Sequence, residues 1–395
     1  MSNEDNHIPR RPSFPTQQRL RPFTPSTPPD QPQPQRIPSS SSISDMAIPY
    51  SRPHTPSPHA PAYGFIGLGN MGYEMALNLS RSLPQGQTLT VYNRTLAKSE
   101  RLAAAAGEGR IYIAQNVQEV VNRCYVILTS LGTDKAVEDT YDLLFEAHKV
   151  KEHQVSGQRV RSTIFIETST IYPTLAAKLD SLCAQNPHRH FLMCPLFGPP
   201  AAAHSAQLIL VLAGPRIAKK EVAYQLVPAI ARKIIDVGEN VERAASFKLI
   251  GNAMVLGTIE MLSESMTMAE KAGLGTDVFY SFIKDMFPAP SFIGYGHKLL
   301  HSEFDGSKGF AIEGGLKDAG HIRHLVEEKN CPMPMVDLAH QHMLTARAWD
   351  RERKRLGGER KWEEMDWSAM VIALRLAGGL DPLDPAAHTR AVLEE

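Results

Sequence analysis

An α/β domain followed by an all-α domain, joined by one long helix, is the fold class the sequence predicts, and three observations predict it. Short branched-aliphatic runs alternate with helical patterns as far as Val237, and such alternation builds a mostly parallel sheet with helices on both faces. Beyond that point the strand-like runs stop, and Ala244 to Ala272 reads as one helix without an internal proline. Ahead of both lies a proline- and serine-rich stretch of a different character.

That first stretch, residues 1–61, holds about half of the 29 prolines, a serine run from Ser39 to Ser42 and almost no branched aliphatic side chains. Proline denies it helix and ladder hydrogen bonds, and too little apolar surface remains to offset the entropy of ordering, so a disordered arm is expected. Its six arginines, Arg10, Arg11, Arg19 and Arg21 among them, outnumber its four acids and suggest a mitochondrial transit peptide as a second reading. Such a peptide needs an amphipathic helix, which Pro9, Pro12, Pro15 and Pro22 interrupt. Met46 is a second candidate start.

The first domain is expected over residues 62–242. Tyr63-Gly-Phe-Ile66 is a short buried strand, then come a glycine turn and a helix through Met75, Leu79 and Leu83, ended by Pro84 and Gly86. Leu89-Thr-Val-Tyr92 is the next strand. Ile111–Ile113, Tyr125–Leu128, Thr163–Ile166, His190–Met193, Leu208–Leu212 and Ile234–Val237 supply the rest. The second domain is expected over 243–395. Its long helix stops at Gly273, as a C-terminal cap requires, and further helices follow around Asp277–Met286, Gly315–Lys329 and Met335–Trp349. The charged run from Arg351 through Arg355 to Lys361 reads as a solvated loop or helix end.

Composition excludes several function classes. Lys plus Arg equals Asp plus Glu at 42 each, so net charge steers the chain neither to nucleic acid nor to an acidic partner. Cys124, Cys183, Cys194 and Cys331 form no C-x-x-C pair, which fits a reducing compartment rather than a disulfide framework or zinc site. His321 and His324 lie three apart, as do His188 and His190, but no third ligand is spaced to complete a metal site. No apolar run is expected to reach the roughly 18 residues that span a bilayer, and no apolar signal-peptide core is present. A cytoplasmic protein without membrane contact is expected, with the mitochondrion as the alternative.

Gly67-Leu68-Gly69-Asn70-Met71-Gly72 directly follows the first strand and opens the first helix. Three glycines in this spacing allow a tight turn, close approach of backbone to a pyrophosphate, and close packing of helix on strand. The helix N-terminus adds free N–H groups and a positive dipole end for phosphates. Strand, loop, helix and second strand occur in the order that a Rossmann-like dinucleotide site needs, so these six residues are assigned to the cofactor. At the end of the second strand an NAD site usually carries Asp or Glu for the ribose, and here Asn93-Arg94-Thr95 stand instead. An arginine there can pair with a 2′-phosphate, so NADP is expected over NAD.

Lys248 and Asn252 are four residues apart on the long helix and so project from one face. Such a pair can set an ammonium and an amide against one substrate oxygen. Protonated Lys248 can supply the proton as a carbonyl becomes an alcohol; in reverse, the neutral amine accepts it, which requires burial to lower its pKa from about 10.4 towards 7 or 8. On its own, the spacing equally suits two solvent-facing side chains.

Taken together, the motifs resemble those of the β-hydroxyacid dehydrogenases, a family that includes 3-hydroxyisobutyrate dehydrogenase, glyoxylate/succinic semialdehyde reductase and 6-phosphogluconate dehydrogenase. The glycine loop with Met75-Ala-Leu-Asn-Leu79 looks like the family's opening signature. Glu167-Thr-Ser-Thr170-Ile-Tyr-Pro173, Lys248-Leu-Ile-Gly-Asn252, Met268-Ala-Glu-Lys-Ala-Gly-Leu274, and Phe310 with Leu316-Lys317-Asp318 resemble its later motifs in order. The resemblance runs from about Ala62 to Ala346. It implies Lys248 as acid/base, Asn252 as substrate ligand, and Thr170, Leu131 and Lys317 beside the cofactor. It further implies a small-molecule carbonyl or hydroxy acid substrate, and homodimers or homotetramers through the helical domain.

One segment departs from the family. Its substrate loop usually reads Ala-Pro-Val-Ser-Gly-Gly, and this chain has Cys194-Pro-Leu-Phe197-Gly198-Pro199-Pro200. Phe197 and Gly198 are expected to line the substrate, yet Phe197 replaces a hydroxyl donor and Pro199 removes an N–H. A lost hydrogen bond to a charged group costs about 1.5–3 kcal/mol, so short hydroxy acids are expected to bind poorly. Gly251 stands where phosphogluconate dehydrogenases typically carry histidine, which argues against that activity. Two other readings stay open: an imine reductase, which shares the fold but usually replaces the lysine, and a non-catalytic, chromatin-associated cofactor binder.

Overall fold

The computed structural model describes residues 47–51, 62–154, 161–358 and 361–384. Strands β1 (Tyr63–Ile66), β2 (Leu89–Tyr92), β3 (Ile111–Ile113), β4 (Val126–Thr129), β5 (Thr163–Glu167) and β6 (Arg189–Met193) form one six-stranded sheet. All its pairings are parallel, and its order is β3-β2-β1-β4-β5-β6. Helices α1 (Asn70–Ser82), α2 (Leu96–Ala106), α3 (Val117–Arg123), α4 (Asp134–Gln154) and α5 (Pro173–Ala184) connect the strands. A sheet covered on both faces needs apolar side chains on both, and β1, β4 and β5 are buried throughout. Strand order reverses between β1 and β4, which opens a crevice at the strands' C-terminal ends.

The later strands do not extend this sheet. The short β7 (Leu196–Phe197), unmarked by the sequence pattern, pairs antiparallel with β8 (Leu208–Leu212), and β8 pairs parallel with β9 (Ala231–Asp236). Pro195, without an N–H, separates β6 from β7, and a single bridge between Met193 and Ala213 joins the two sheets. Helices α6 (Pro200–His204) and α7 (Arg216–Ala229) flank β8.

Part of the expected disordered arm is packed. Ala47 accepts a hydrogen bond from the Ile234 N–H at 2.9 Å. Tyr50 is buried, and its hydroxyl donates to Asp236 Oδ2 at 2.7 Å. Residues 1–46 and 52–61 lie outside the described residues.

Helix α8 (Val241–Lys271) is the spine of the helical region. The Asn240 side chain accepts from the Glu242 N–H at 2.9 Å and caps its start. At its end Gly273 takes φ +73°, and the N–H groups of Leu274 and Gly273 donate to Ala269 and Glu270, the paired bonds of a Schellman cap. Around it pack α9 (Thr276–Met286), α10 (Pro290–His301), α11 (Ile312–Lys329), α12 (Pro334–Arg355), a 3-10 turn (Trp367–Met370) and α13 (Val371–Ala377). By length and composition α8 is apolar enough to cross a membrane, contrary to the expectation from sequence, but it lies against α5 and α9–α13.

Arg351–Arg355 form the C-terminal end of α12, as the helix-end reading of that charged run has it, and Arg347 and Arg351 pair with Glu313 at 2.9 and 2.8 Å. Helix α10 was hidden by Gly294 and Gly296, poor helix formers; a Cβ on Gly296 would lie 2.7 Å from the Tyr280 ring, so glycine there lets two helices touch.

Candidate active site

The glycine loop has the geometry of a phosphate cradle. Gly67 takes φ +96°, and a Cβ on it would lie 2.2 Å from the carbonyl oxygen of Ser130. A Cβ on Gly72 would lie 2.1 Å from the Gly67 carbonyl, so this glycine lets α1 sit against the turn. Gly69 differs: nothing lies within 4 Å of where its Cβ would be. It is the N-cap of α1 and offers no side-chain cap, so the first N–H groups of the helix face open space beside it. An uncapped helix start, a bare backbone and a crevice where strand order reverses fit a dinucleotide pyrophosphate. Asn70 is exposed, and Met71 half-buried against the core.

Asn93 is committed to the fold. Its Oδ1 accepts from the Leu68 N–H at 2.9 Å and its Nδ2 donates to Thr95 O at 2.9 Å, tying the loop to the end of β2. Arg94 and Thr95 are exposed, and Arg94 has no ion-pair partner among the described residues.

The loops after β4 and β5 close the crevice. The Leu131 N–H donates to Ser169 Oγ at 2.7 Å, and the Leu131 side chain reaches Gly67, 3.0 Å from where a Cβ would be. Glu167 is wholly buried, accepting from Thr129 Oγ1 at 2.7 Å and from the Ser169 N–H at 2.6 Å. Burial pushes its carboxyl up to about 7, while those bonds pull the other way. Its work is to fix the turn bearing Thr170, whose carbonyl accepts from Lys317 Nζ on α11.

Four side chains then meet between α8 and α11. Lys317 Nζ lies 3.0 Å from Asp318 Oδ1, and Asp318 Oδ2 accepts from Asn252 Nδ2 at 2.7 Å. One turn earlier, Lys248 donates to the carbonyl of Leu196 at 2.8 Å, and its Nζ stands 4.3 Å from the centre of the Phe197 ring. Burial lowers the Lys248 pKa to about 8; the nearby charge of Asp318 opposes that shift and Lys317 adds to it. Lys248 therefore points into the domain junction rather than to bulk water. Asp318 was quoted only as part of a motif in the sequence, yet it is the group that orients Asn252. The Leu196 carbonyl carries no sequence signal at all.

Phe197 is half-buried, and Gly198 beside it is exposed with φ +139°. The Phe197 ring meets Phe247 edge-on at 6.0 Å. A cavity of about 530 Å³ lined by Arg243, Ser246, Phe247, Ile250, Glu328 and Lys329, among others, is a different place. Those α8 residues lie on the helix face opposite Lys248 and Asn252. His321 and His324 flank the Tyr172 ring, and His321 Nε2 lies 2.9 Å from Asp134 Oδ1. Among the described residues no group of three or more His, Cys, Asp or Glu is placed to hold a metal ion.

Comparison with known proteins agrees with this two-domain fold. Residues 62–238 match the NAD binding domain of 6-phosphogluconate dehydrogenase, and residues 243–355 match the NAD-binding region of NADP-dependent 3-hydroxyisobutyrate dehydrogenase. The chain is 29% identical over 310 residues to the uncharacterized oxidoreductase YfjR of Bacillus subtilis (strain 168), covering 78% of this chain and 98% of that one. It is 26% identical over 313 residues to the NADH-dependent oxidoreductase ucdB of Aspergillus ustus, with 78% and 98% covered. The solved 3-hydroxyisobutyrate dehydrogenase of Mycobacterium tuberculosis shares the fold, with a TM-score of 0.62, 22% identity, and 80% and 100% covered. With its parallel-sheet cofactor domain, helical second domain and both family regions in order, the chain is an NAD(P)-dependent oxidoreductase and belongs to the β-hydroxyacid dehydrogenase family.

Proposed function

We propose that this chain is an NADP(H)-dependent oxidoreductase interconverting a small aldehyde or keto acid and its hydroxy acid, with Lys248 as general acid/base and Asn252 as substrate ligand. One observation carries the reading: an amine with its pKa lowered to about 8 sits in the domain junction beside a buried amide held by a carboxylate. A general acid or base works best when its pKa lies near the working pH, and burial brings Lys248 there. A bound nicotinamide dinucleotide supplies or accepts the hydride. Gly67, Leu68, Gly69, Asn70, Met71 and Gly72 would hold its phosphates, with Leu131, Thr170 and Lys317 along its path. Lys248 holds the proton at Nζ and delivers it to the carbonyl oxygen. Asp318 fixes Asn252 so that its amide turns toward that oxygen.

NADP rather than NAD is supported by Arg94, exposed at the end of β2 where no acid stands. Assembly as a homodimer or homotetramer is supported by the outer face of α8, where Phe247, Met254, Met261 and Met268 recur every seven residues and are exposed. Sedimentation of the purified chain measures that directly. Three buried free cysteines and one exposed suit a reducing, cytoplasmic setting.

The decisive experiment is a carbonyl panel with NADPH: glyoxylate, succinic semialdehyde, short β-keto acids and cyclic imines, each run beside Lys248→Ala. Turnover abolished by the substitution is the expected result. Turnover that survives it, or that is confined to imines, defeats the reading.

A further inference from the structure

We propose that the Phe197 ring, seated on Gly251 and backed from behind by Phe247, is an aromatic wall that selects carbonyl substrates carrying a flat apolar group, rather than a carboxylate, beside the reacting carbon. The proposal rests on Lys248 being the proton-transferring residue. Position is the first argument. The ring of Phe197 stands 4.3 Å from Lys248 Nζ, so an oxygen that meets the ammonium brings its neighbouring substituent against the ring.

The helix is shaped to admit that ring. A Cβ on Gly251 would lie 2.3 Å from Cζ and 2.5 Å from Cε1 of Phe197, so any residue but glycine would occupy the same space. Phe247, one helical turn earlier, meets the ring edge-on at an interplanar angle of 67°. Backbone on one side and an aromatic edge on another set where the ring rests. Phe197 nevertheless stays only half-buried, which leaves part of it for a ligand.

Apart from the Lys248 ammonium and the Gly198 N–H, the same wall offers an anion little. Between Cys194 and Pro200 there is no hydroxyl side chain, and Pro195, Pro199 and Pro200 have no N–H to give. Lys317 is already engaged by Asp318 and by the Thr170 carbonyl. Asp318 itself would repel a second carboxylate brought alongside Asn252. A flat apolar group meets none of these penalties and gains ring-on-ring contact.

The test compares kcat/KM with NADPH for benzaldehyde and for glyoxylate in the unaltered chain, Phe197→Ser and Phe197→Leu. Calorimetry of benzyl alcohol and glycolate, in the presence of NADPH so that neither turns over, reads the same preference as binding. The unaltered chain is expected to favour the aromatic compound by about tenfold or more in both assays. Phe197→Ser should move the ratio at least about tenfold toward the carboxylate, and Phe197→Leu should weaken the aromatic ligand without strengthening glycolate. Preference for the carboxylate in the unaltered chain, or a ratio that Phe197→Ser leaves in place, overturns the wall. If no aldehyde turns over, calorimetry decides alone. Turnover that survives Lys248→Ala sinks the catalytic reading instead, while the binding preference still reports on the wall.

Discussion

The ring of Phe197 fills the space where residue 251 would otherwise carry a side chain, with its Cζ only 2.3 Å from an ideal Gly251 Cβ. A loop from the first domain and the central helix of the second are thereby interlocked directly beside the Lys248 ammonium.

Gly251→Ala separates fold from function at this contact. The atom it strikes is the tip of a half-buried ring that can swing aside, and alanine favours an α-helix over glycine by about 0.8–1 kcal/mol. Stability by urea denaturation should therefore stay within about 1 kcal/mol of the parent. With the ring displaced, kcat/KM for an aromatic aldehyde should fall roughly tenfold. A large loss of stability would show that the ring cannot move.

With Lys248 as the proposed acid/base, the rate is expected to depend on pH in opposite senses for the two directions. Reduction needs the protonated amine, so kcat/KM for a carbonyl should fall as pH rises through about 8. Oxidation needs the neutral amine and should rise through the same pH. Opposed limbs in the two pH profiles are the expected result; parallel ones would remove Lys248 from proton transfer.

Stability gives an independent reading of the same group. The folded chain releases this proton near pH 8 and the unfolded chain near 10.4, so between those values the unfolded state holds the extra proton. Stability then rises with pH through that window, and the cost of the buried charge is present in full below it. Lys248→Met should stabilise the fold at pH 7 by on the order of 1–2 kcal/mol, after loss of the bond to Leu196. At pH 10 the gain should shrink, while activity stays roughly 10²–10⁴-fold down. Urea denaturation at the two pH values checks it.

The glycines of the first loop should respond differently to alanine. Gly72→Ala sets a Cβ 2.1 Å from a backbone oxygen that cannot rotate away, and should cost at least about 1–3 kcal/mol. Gly69→Ala meets nothing and should hold stability within about 1 kcal/mol. Its Cβ instead enters the space a phosphate needs, so NADPH affinity by fluorescence titration should drop. Equal melting of both variants would contradict the packing role of Gly72.

Arg94→Ala tests the choice of cofactor. A charge-assisted bond to a 2′-phosphate contributes about 1.5–3 kcal/mol, so KM for NADPH should rise roughly 10- to 100-fold while KM for NADH changes little. An equal change in both would favour NAD.

Much of this protein was legible in its sequence because the signals are local. Buried parallel strands must be short apolar runs, a phosphate turn must be glycine-rich, and Lys248 and Asn252 share a face because helical spacing puts them there. Elements whose reason is distant were not legible. Helix α10 carries Gly296 where Tyr280 crosses it, and Tyr50 packs onto Asp236, some 186 residues further along the chain. Likewise β7 exists only because β8 returns to pair with it.

The sequence by itself determined the cofactor domain and the helical domain, since each follows from periodicity or from residues close along the chain, while Lys248 was singled out only by resemblance to the family's motifs. Only tertiary structure decided that this amine is buried, that Asp318 holds Asn252, and that Phe197 lies over Gly251. Burial and cross-domain contact depend on which surfaces meet, and that is set by packing of the whole chain rather than by any single segment.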